Sequence, residues 1–266
     1  MIKLVITDMD GTFLNSKGEF NRELYREVKQ LMVQKNVAFA PCTGKQCDRV
    51  EQIFGPEDME GLWILGDSAA RIKHNGEFVY ESLIKNTLGL EMIAKLEAIR
   101  LDYVIIACTP TGAIVKDTVP EEIFNRMKHS YSELRRVADF SEIDSDFVKI
   151  SVYDAKEDSF HTRTQLADFF DKAYIVASEG AWIDISDVGV HKGTTVARLQ
   201  EILGVTHDET MVFGDGLNDL ELMEAGLYSF AMRNGFPETK AAANFIARSN
   251  DEDAVLHTIK QILSLQ

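Results

Sequence analysis

Apolar and polar positions along the chain follow two rhythms, and the points where one yields to the other outline its organisation. Residues 2–7 form a β-rich apolar run that ends at Asp8. After Asn21, the apolar Leu24, Val28 and Leu31 recur at three- and four-residue spacing, which predicts a helix. Residues 37–41 read as a second buried strand, 48–54 as a helix and 62–65 as a third strand. Such alternation implies a parallel sheet with helices on both faces.

His74-Asn75-Gly76-Glu77 separates two short alternating runs, and Asn-Gly favours the positive φ angles of a tight hairpin. From about residue 83 the pattern changes. A helix to residue 100 is followed by strands at 103–108 and 113–116, a helix from Pro120, a strand at 147–153, a helix at 160–170, and strands at 173–177 and 182–185. That mixture suits an inserted α+β domain. After Lys192 the α/β rhythm returns, with a helix through residue 203, a strand at 210–213, a helix at 217–225 and a strand at 228–231. A last helix at 251–263 places Ala254, Val255, Ile259 and Ile262 at helical spacing. The chain therefore reads as an α/β core, residues 1–82 and 189–266, split by an α+β insertion at 83–188.

Composition narrows the function. The 266 residues suffice for one large domain or two modest ones, each with its own core. With 43 acidic against 28 basic residues, the net charge of −15 argues against nucleic acid, whose binding rests on Lys and Arg at phosphates. A small anionic substrate would need a metal or local positive charge. Cys42, Cys47 and Cys108 show no CxxC spacing, so neither a disulfide framework nor a zinc site is indicated and a reducing cytoplasm fits. No run of about 18 apolar residues indicates a membrane span. Nothing in the sequence marks an oligomer interface.

The chemistry gathers where predicted strands end. Asp8 and Asp10 follow the first strand two residues apart, a spacing that in extended geometry puts both carboxylates on one side. Like charges so close favour a hard cation between them or a proton on one of them, and carboxylate oxygens suit magnesium. Either acid alone also fits a loop or helix cap. The full Asp8-Met9-Asp10-Gly11-Thr12 string arises by chance in only about a few chains per thousand of this length.

Thr43-Gly44 follows the second strand, where a hydroxyl and backbone N–H groups can hold a phosphate oxygen; Thr43 as a simple N-cap is equally open. Lys192, where the core resumes, suits neutralisation of a phosphoryl group, or is a solvated surface lysine. Gly214-Asp215-Gly216-Leu217-Asn218-Asp219 follows another apolar strand. It offers Asp215 for a cation, Asp219 behind it, and Asn218 as a neutral donor to a substrate oxygen.

These four strings, in this order, resemble the haloacid dehalogenase phosphatase superfamily, specifically its Cof-type sugar-phosphatase branch. The resemblance spans the chain and implies a Rossmann-like parallel sheet core with a type-C2 cap inserted between the second and third motifs. It implies that Asp8 is the nucleophile and Asp10 the general acid, then base. Thr43 with Gly44, Lys192 and Asn218 would contact the phosphate. Mg²⁺ would be held by Asp8, the Asp10 backbone carbonyl and Asp215, steadied by Asp219.

The chain departs from that pattern twice. Lys45 stands where relatives often carry arginine, and Gly66-Asp67-Ser68-Ala69-Ala70 where they often read Asn-Gly-Ala, a segment that faces the leaving group. Lys45, Asp67, Glu179, Trp182 and Asp184 are therefore candidates for substrate specificity, with Trp182 also suited to cap packing. His191, beside Lys192, is a further titratable neighbour or a surface histidine. The expected activity is Mg²⁺-dependent hydrolysis of a small phosphate monoester, a sugar phosphate foremost. Its rivals are a sugar phosphomutase and a non-enzymatic module phosphorylated on Asp8 as a switch.

Overall fold

The computed structural model describes residues 1–128 and 130–266, the side chains of Ser178 and Glu179 excepted. The chain opens with β1 (Leu4–Thr7), α1 (Arg22–Gln34), β2 (Ala38–Pro41) and α2 (Cys47–Phe54), followed by a small sheet of β3 (Trp63–Gly66), β4 (Arg71–His74) and β5 (Glu77–Glu81). Next come α3 (Asn86–Ile99), β6 (Val104–Thr109), β7 (Gly112–Lys116), α4 (Glu121–Met127), β8 (Leu134–Val137), β9 (Lys149–Tyr153), α5 (Ser159–Thr164), β10 (Ala173–Glu179) and β11 (Trp182–Asp187). The remainder is α6 (Lys192–Leu203), β12 (Thr210–Gly214), α7 (Leu220–Met223), β13 (Tyr228–Met232), α8 (Pro237–Ala242), β14 (Phe245–Ala247) and α9 (Ala254–Ser264).

The core is a five-stranded parallel sheet in the order β14-β13-β12-β1-β2. β1 is buried along its whole length because helices cover both faces, as its unbroken apolar sequence requires. On one face, Val5 and Phe39 pack with Tyr25 and Val28 of α1 and with Val255 and Ile259 of α9. On the other, Leu4 and Ile6 pack with Val196 and Leu199 of α6. Asn21 sets the start of α1, its side chain accepting the Leu24 N–H at 3.1 Å.

The third predicted strand forms, but not as a full member of the parallel sheet. β3 touches it through one parallel bridge, Cys42 with Leu65, and otherwise pairs antiparallel with β4. The Asn75-Gly76 hairpin is as expected, with φ of 50° and 83°, and joins β4 to β5.

The second large sheet, β10-β11-β9-β6-β7-β8, is antiparallel except for β7 with β8. β6 alternates strictly: Ile105 and Ala107 join a cluster with Met92, Leu96 and Phe147, while Val104, Ile106 and Cys108 face Phe124 and Tyr131. The architecture is thus a parallel α/β core with an added antiparallel α+β layer. The predicted helix at 217–225 is shorter than expected, a 3-10 turn at Leu217–Asp219 followed by α7, and the one at 160–170 breaks after α5. β8, α8 and β14 were not anticipated. Among the described residues no helix is long and apolar enough to cross a membrane.

Gly89 in α3 shows how tightly the helix meets this sheet. A Cβ there would lie 2.2 Å from Cδ2 of Phe147, whose side chain is fully buried. Helix propensity favours alanine over glycine by about 1 kcal/mol, whereas overpacking costs about 1–3 kcal/mol. Gly89→Ala is therefore expected to destabilise the protein by up to about 2 kcal/mol net, read as a lower urea midpoint.

Candidate active site

The strand order sets the location. The chain leaves β1 for β2 on one side, while β12 packs on the other, so the crevice beyond the carboxyl end of β1 is a topological switch point. Asp8 stands there, its N–H donating to the Phe213 carbonyl at 2.9 Å, one residue past the ladder. Thr43 follows β2 and Asp215 follows β12, so the three side chains rise from adjacent strands. A cavity of about 350 Å³ opens above them, lined by Asp8, Asp10, Thr43, Gly44, Asn218 and Asp215 among others.

Lys192, the first residue of α6, lies beneath Asp8 and does not line the cavity. Its ammonium, 4% exposed, donates to Asp8 Oδ1 at 2.5 Å and to Asp219 Oδ1 at 2.6 Å. Burial acts against that charge, but Asp219 and Asp8 outweigh it and hold the lysine protonated. Asp219 is fully engaged: its Oδ2 accepts the N–H groups of Asp215 and Gly216, each at 2.9 Å. Thr12 donates to Asp215 Oδ1 at 2.5 Å. Gly11 is needed where the first loop meets the third, since a Cβ there would sit 2.4 Å from Asp215 Oδ2.

Carboxylate oxygens of Asp8, Asp215 and Asp219 lie within 4.8 Å of one another. Burial, and then the neighbouring acids against the pull of Lys192, raises Asp8 well above the usual carboxylate range. Burial and Asp219 push Asp215 up to about 6 despite the Thr12 hydrogen bond and Lys192. One ammonium therefore leaves negative charge uncompensated, and the donors are all hard oxygens. This set fits a divalent cation such as Mg²⁺, held by Asp8 and Asp215. Asp219 suits a bracing part, because both its oxygens already have partners.

The other anticipated residues divide. Asp10 is mostly exposed and pairs with Lys45 at 2.7 Å, so the lysine in the arginine position faces the cavity mouth. Thr43 is not the N-cap of α2, which Gln46 occupies; its buried hydroxyl accepts the Lys45 N–H at 3.2 Å. Trp182 and Asp184 line the cavity, with Trp182 also packed against Tyr153 at 5.0 Å between ring centroids. Asp67 does not: it is buried against Cys47 beside a separate small cavity of about 70 Å³. The side chain of Glu179 lies outside the described residues. His191 caps α6 with its ring 5.3 Å from that of Tyr174 and is absent from the cavity wall.

Sequence reasoning missed Gln46, Ser130, Tyr131, Lys149, Ser151 and Phe236, which also line the cavity. Lys149 and Ser151 had a signal: both are polar positions at period two inside the apolar strand around β9. The lysine is buried, and although burial opposes its charge, Asp184 above all raises its pKa.

A crevice at the sheet's switch point that combines a lysine-paired carboxylate, an acidic cation site and a roof from a second sheet defines a phosphate-ester hydrolase. The chain belongs to the haloacid dehalogenase-like hydrolases, whose family model matches residues 5–259. It is 27% identical over 263 residues, 98% of this chain and 96% of the relative, to the 5-amino-6-(5-phospho-D-ribitylamino)uracil phosphatase of Escherichia coli. The crystal structure of SMU.1108c from Streptococcus mutans superposes with a TM-score of 0.94 at 29% identity, covering 99% of this chain and 100% of that one. A HAD subclass IIB sugar phosphatase, BT4131, shares the fold with a TM-score of 0.82 at 19% identity, over 98% of each chain. The chain is accordingly a phosphatase of this family.

Two outcomes follow for stability. Asp215 binds its proton up to about pH 6 in the folded, cation-free protein, against 3.8 unperturbed, so the folded state holds more protons in that window. Its contribution to stability therefore falls as pH rises from about 4 to 6. In EDTA, Asp215→Asn should stabilise the protein near pH 8 by on the order of 3 kcal/mol, read as a higher calorimetric midpoint, and leave the midpoint unchanged near pH 4. Lys149→Met removes a buried cation from its partners and should cost about 3 kcal/mol in chemical denaturation.

Proposed function

We propose that the protein hydrolyses small phosphate monoesters, sugar phosphates foremost, with Mg²⁺ as cofactor and through a phosphoryl group carried transiently on Asp8. In this reading residues 1–82 and 189–266 form the catalytic core and residues 83–188 the cap. The observation that carries it is the Lys192 ammonium 2.5 Å from Asp8 Oδ1 under the cavity floor. That contact turns one carboxylate oxygen toward the lysine and leaves the other to attack phosphorus.

Mg²⁺, when bound by Asp8, the Asp10 carbonyl and Asp215, supplies charge neutralisation for the phosphoryl oxygens. The chain's own groups do the rest. Thr43, the Gly44 backbone and Asn218 orient the phosphate at the ends of β2 and β12. Asp10, at the cavity mouth, gives a proton to the departing alcohol oxygen. Its carboxylate then takes a proton from water as that water attacks phosphorus and releases Asp8. Lys45, paired with Asp10 at 2.7 Å, keeps that side chain beside the leaving group. The phosphoribityl compound named for the Escherichia coli relative and the sugar phosphatase name of the structural neighbour both point to a phosphate on a polyhydroxylated carbon chain, which supports this substrate class.

Purified protein with Mg²⁺ is expected to turn over p-nitrophenyl phosphate, and EDTA to abolish turnover. Asp8→Asn should remove activity, and Asp10→Asn should lower kcat by about 10²–10⁴. Label from ¹⁸O-water should appear in the released phosphate; interconversion of sugar phosphate isomers without label uptake would identify a mutase instead.

A further inference from the structure

The roof of the cavity carries a charged network that the phosphoryl chemistry does not use. β9 and β11 are paired so that Ser151 lies directly opposite Asp184, and Lys149 sits two positions before Ser151 on the same face. The Lys149 ammonium, 4% exposed, has three protons and three acceptors: the Gly44 carbonyl at 2.8 Å, Ser68 Oγ at 3.0 Å and Asp184 Oδ1 at 3.5 Å. Ser151 donates to Asp184 Oδ1 at 2.5 Å, and Ser68 donates to Asp184 Oδ2 at 3.1 Å.

The balance of donors and acceptors decides what this end of the cavity can recognise. A carboxylate offers about four lone-pair sites, and among the described residues three of those on Asp184 are taken. Its side chain, 18% exposed, lines the cavity next to Trp182. Lys149 has no N–H left for a ligand. Lys45, the other lysine in the lining, is held by Asp10 at 2.7 Å.

We propose, on the basis of the phosphatase reading, that Asp184 is a specificity-determining residue: its remaining acceptor site takes a hydrogen bond from a hydroxyl or amine of the leaving group. Lys149 is a positioning residue that fixes the Asp184 carboxylate and ties it to the loop holding the phosphate. The pocket therefore selects donor-bearing leaving groups. It disfavours alkyl ones, which leave the carboxylate unpaired, and carboxylated ones, which meet like charge with no free cation among the described residues of the lining.

The test compares kcat/KM of the full chain with Mg²⁺ for sorbitol 6-phosphate, n-hexyl phosphate, 3-phosphoglycerate and phenyl phosphate. The wild type should favour sorbitol 6-phosphate at least about tenfold over the hexyl and glycerate esters. Asp184→Asn should lower sorbitol 6-phosphate turnover about tenfold to a hundredfold while changing phenyl phosphate by less than about twofold, which also reports its folding. Lys149→Met should reduce the sorbitol-to-hexyl ratio in the same direction.

Equal wild-type rates for the hexyl or glycerate ester would overturn the assignment whether or not the variants fold. So would an Asp184→Asn loss shared equally by all substrates. If phenyl phosphate is hydrolysed but that ranking is absent, only the role of Asp184 falls. If no ester is hydrolysed, the phosphatase reading falls and this assignment with it.

Discussion

Carboxylates held together at the end of a buried strand repel, and the placement of Lys192 answers to that repulsion. Asp8, Asp215 and Asp219 bring their oxygens within 4.8 Å of one another, two of them largely out of solvent. A single ammonium touches Asp8 and Asp219 together, which is why it must come from the first turn of α6, directly behind β1 and β12. The parallel sheet serves this arrangement: only adjacent strands running the same way deliver loop after loop to one edge. The remaining imbalance of charge is what fits the site to a divalent cation. A neutral, fully satisfied crevice would have no such affinity.

Much of this was legible in the sequence because buried parallel strands carry few polar positions, such as Thr7 and Thr210. β1 and β12 read as largely apolar runs ending in acid-rich loops, and their loops converge as expected. Pairing direction was less legible. The apolar run of β3 signals burial, which an antiparallel partner provides as well as a parallel one. β8, with the sequence Leu-Arg-Arg-Val, and β14, a three-residue edge with Phe245 and Ile246 exposed, lack the periodicity that marks a strand. Motif residues were legible because their spacing reflects close packing, as Gly11 against Asp215 illustrates.

Asp67 and Lys149 show where the reading stopped. Asp67, Ser68 and Ala69 all adopt left-handed φ, at 56°, 57° and 67°, without a glycine among them to announce it. The chain there coils the opposite way, so Asp67 turns toward Cys47 while Ser68 reaches the cavity roof. No local propensity predicts three such residues in a row. Lys149 failed to register for the opposite reason: a lysine inside an apolar strand resembles an interruption until its acceptors, more than eighty positions away in the chain at Gly44 and Ser68, are seen beside it.

The contacts between the antiparallel sheet and the parallel core are of a different kind from those within either. Each sheet has its own apolar clusters, with Ala70 and Val190 among the few core side chains that join the roof's. Across the junction run hydrogen bonds: Lys149 to Gly44, Ser82 to Asp187 at 2.7 Å, and Tyr174 to Glu221 at 2.9 Å. Water can solvate such groups once they part, so each bond contributes only about 1.5–3 kcal/mol net, whereas separating apolar clusters loses their whole burial. A phosphatase must exclude bulk water during phosphoryl transfer and admit substrate before it. A seam of polar contacts, in place of one continuous apolar core, is the kind of junction that suits both demands.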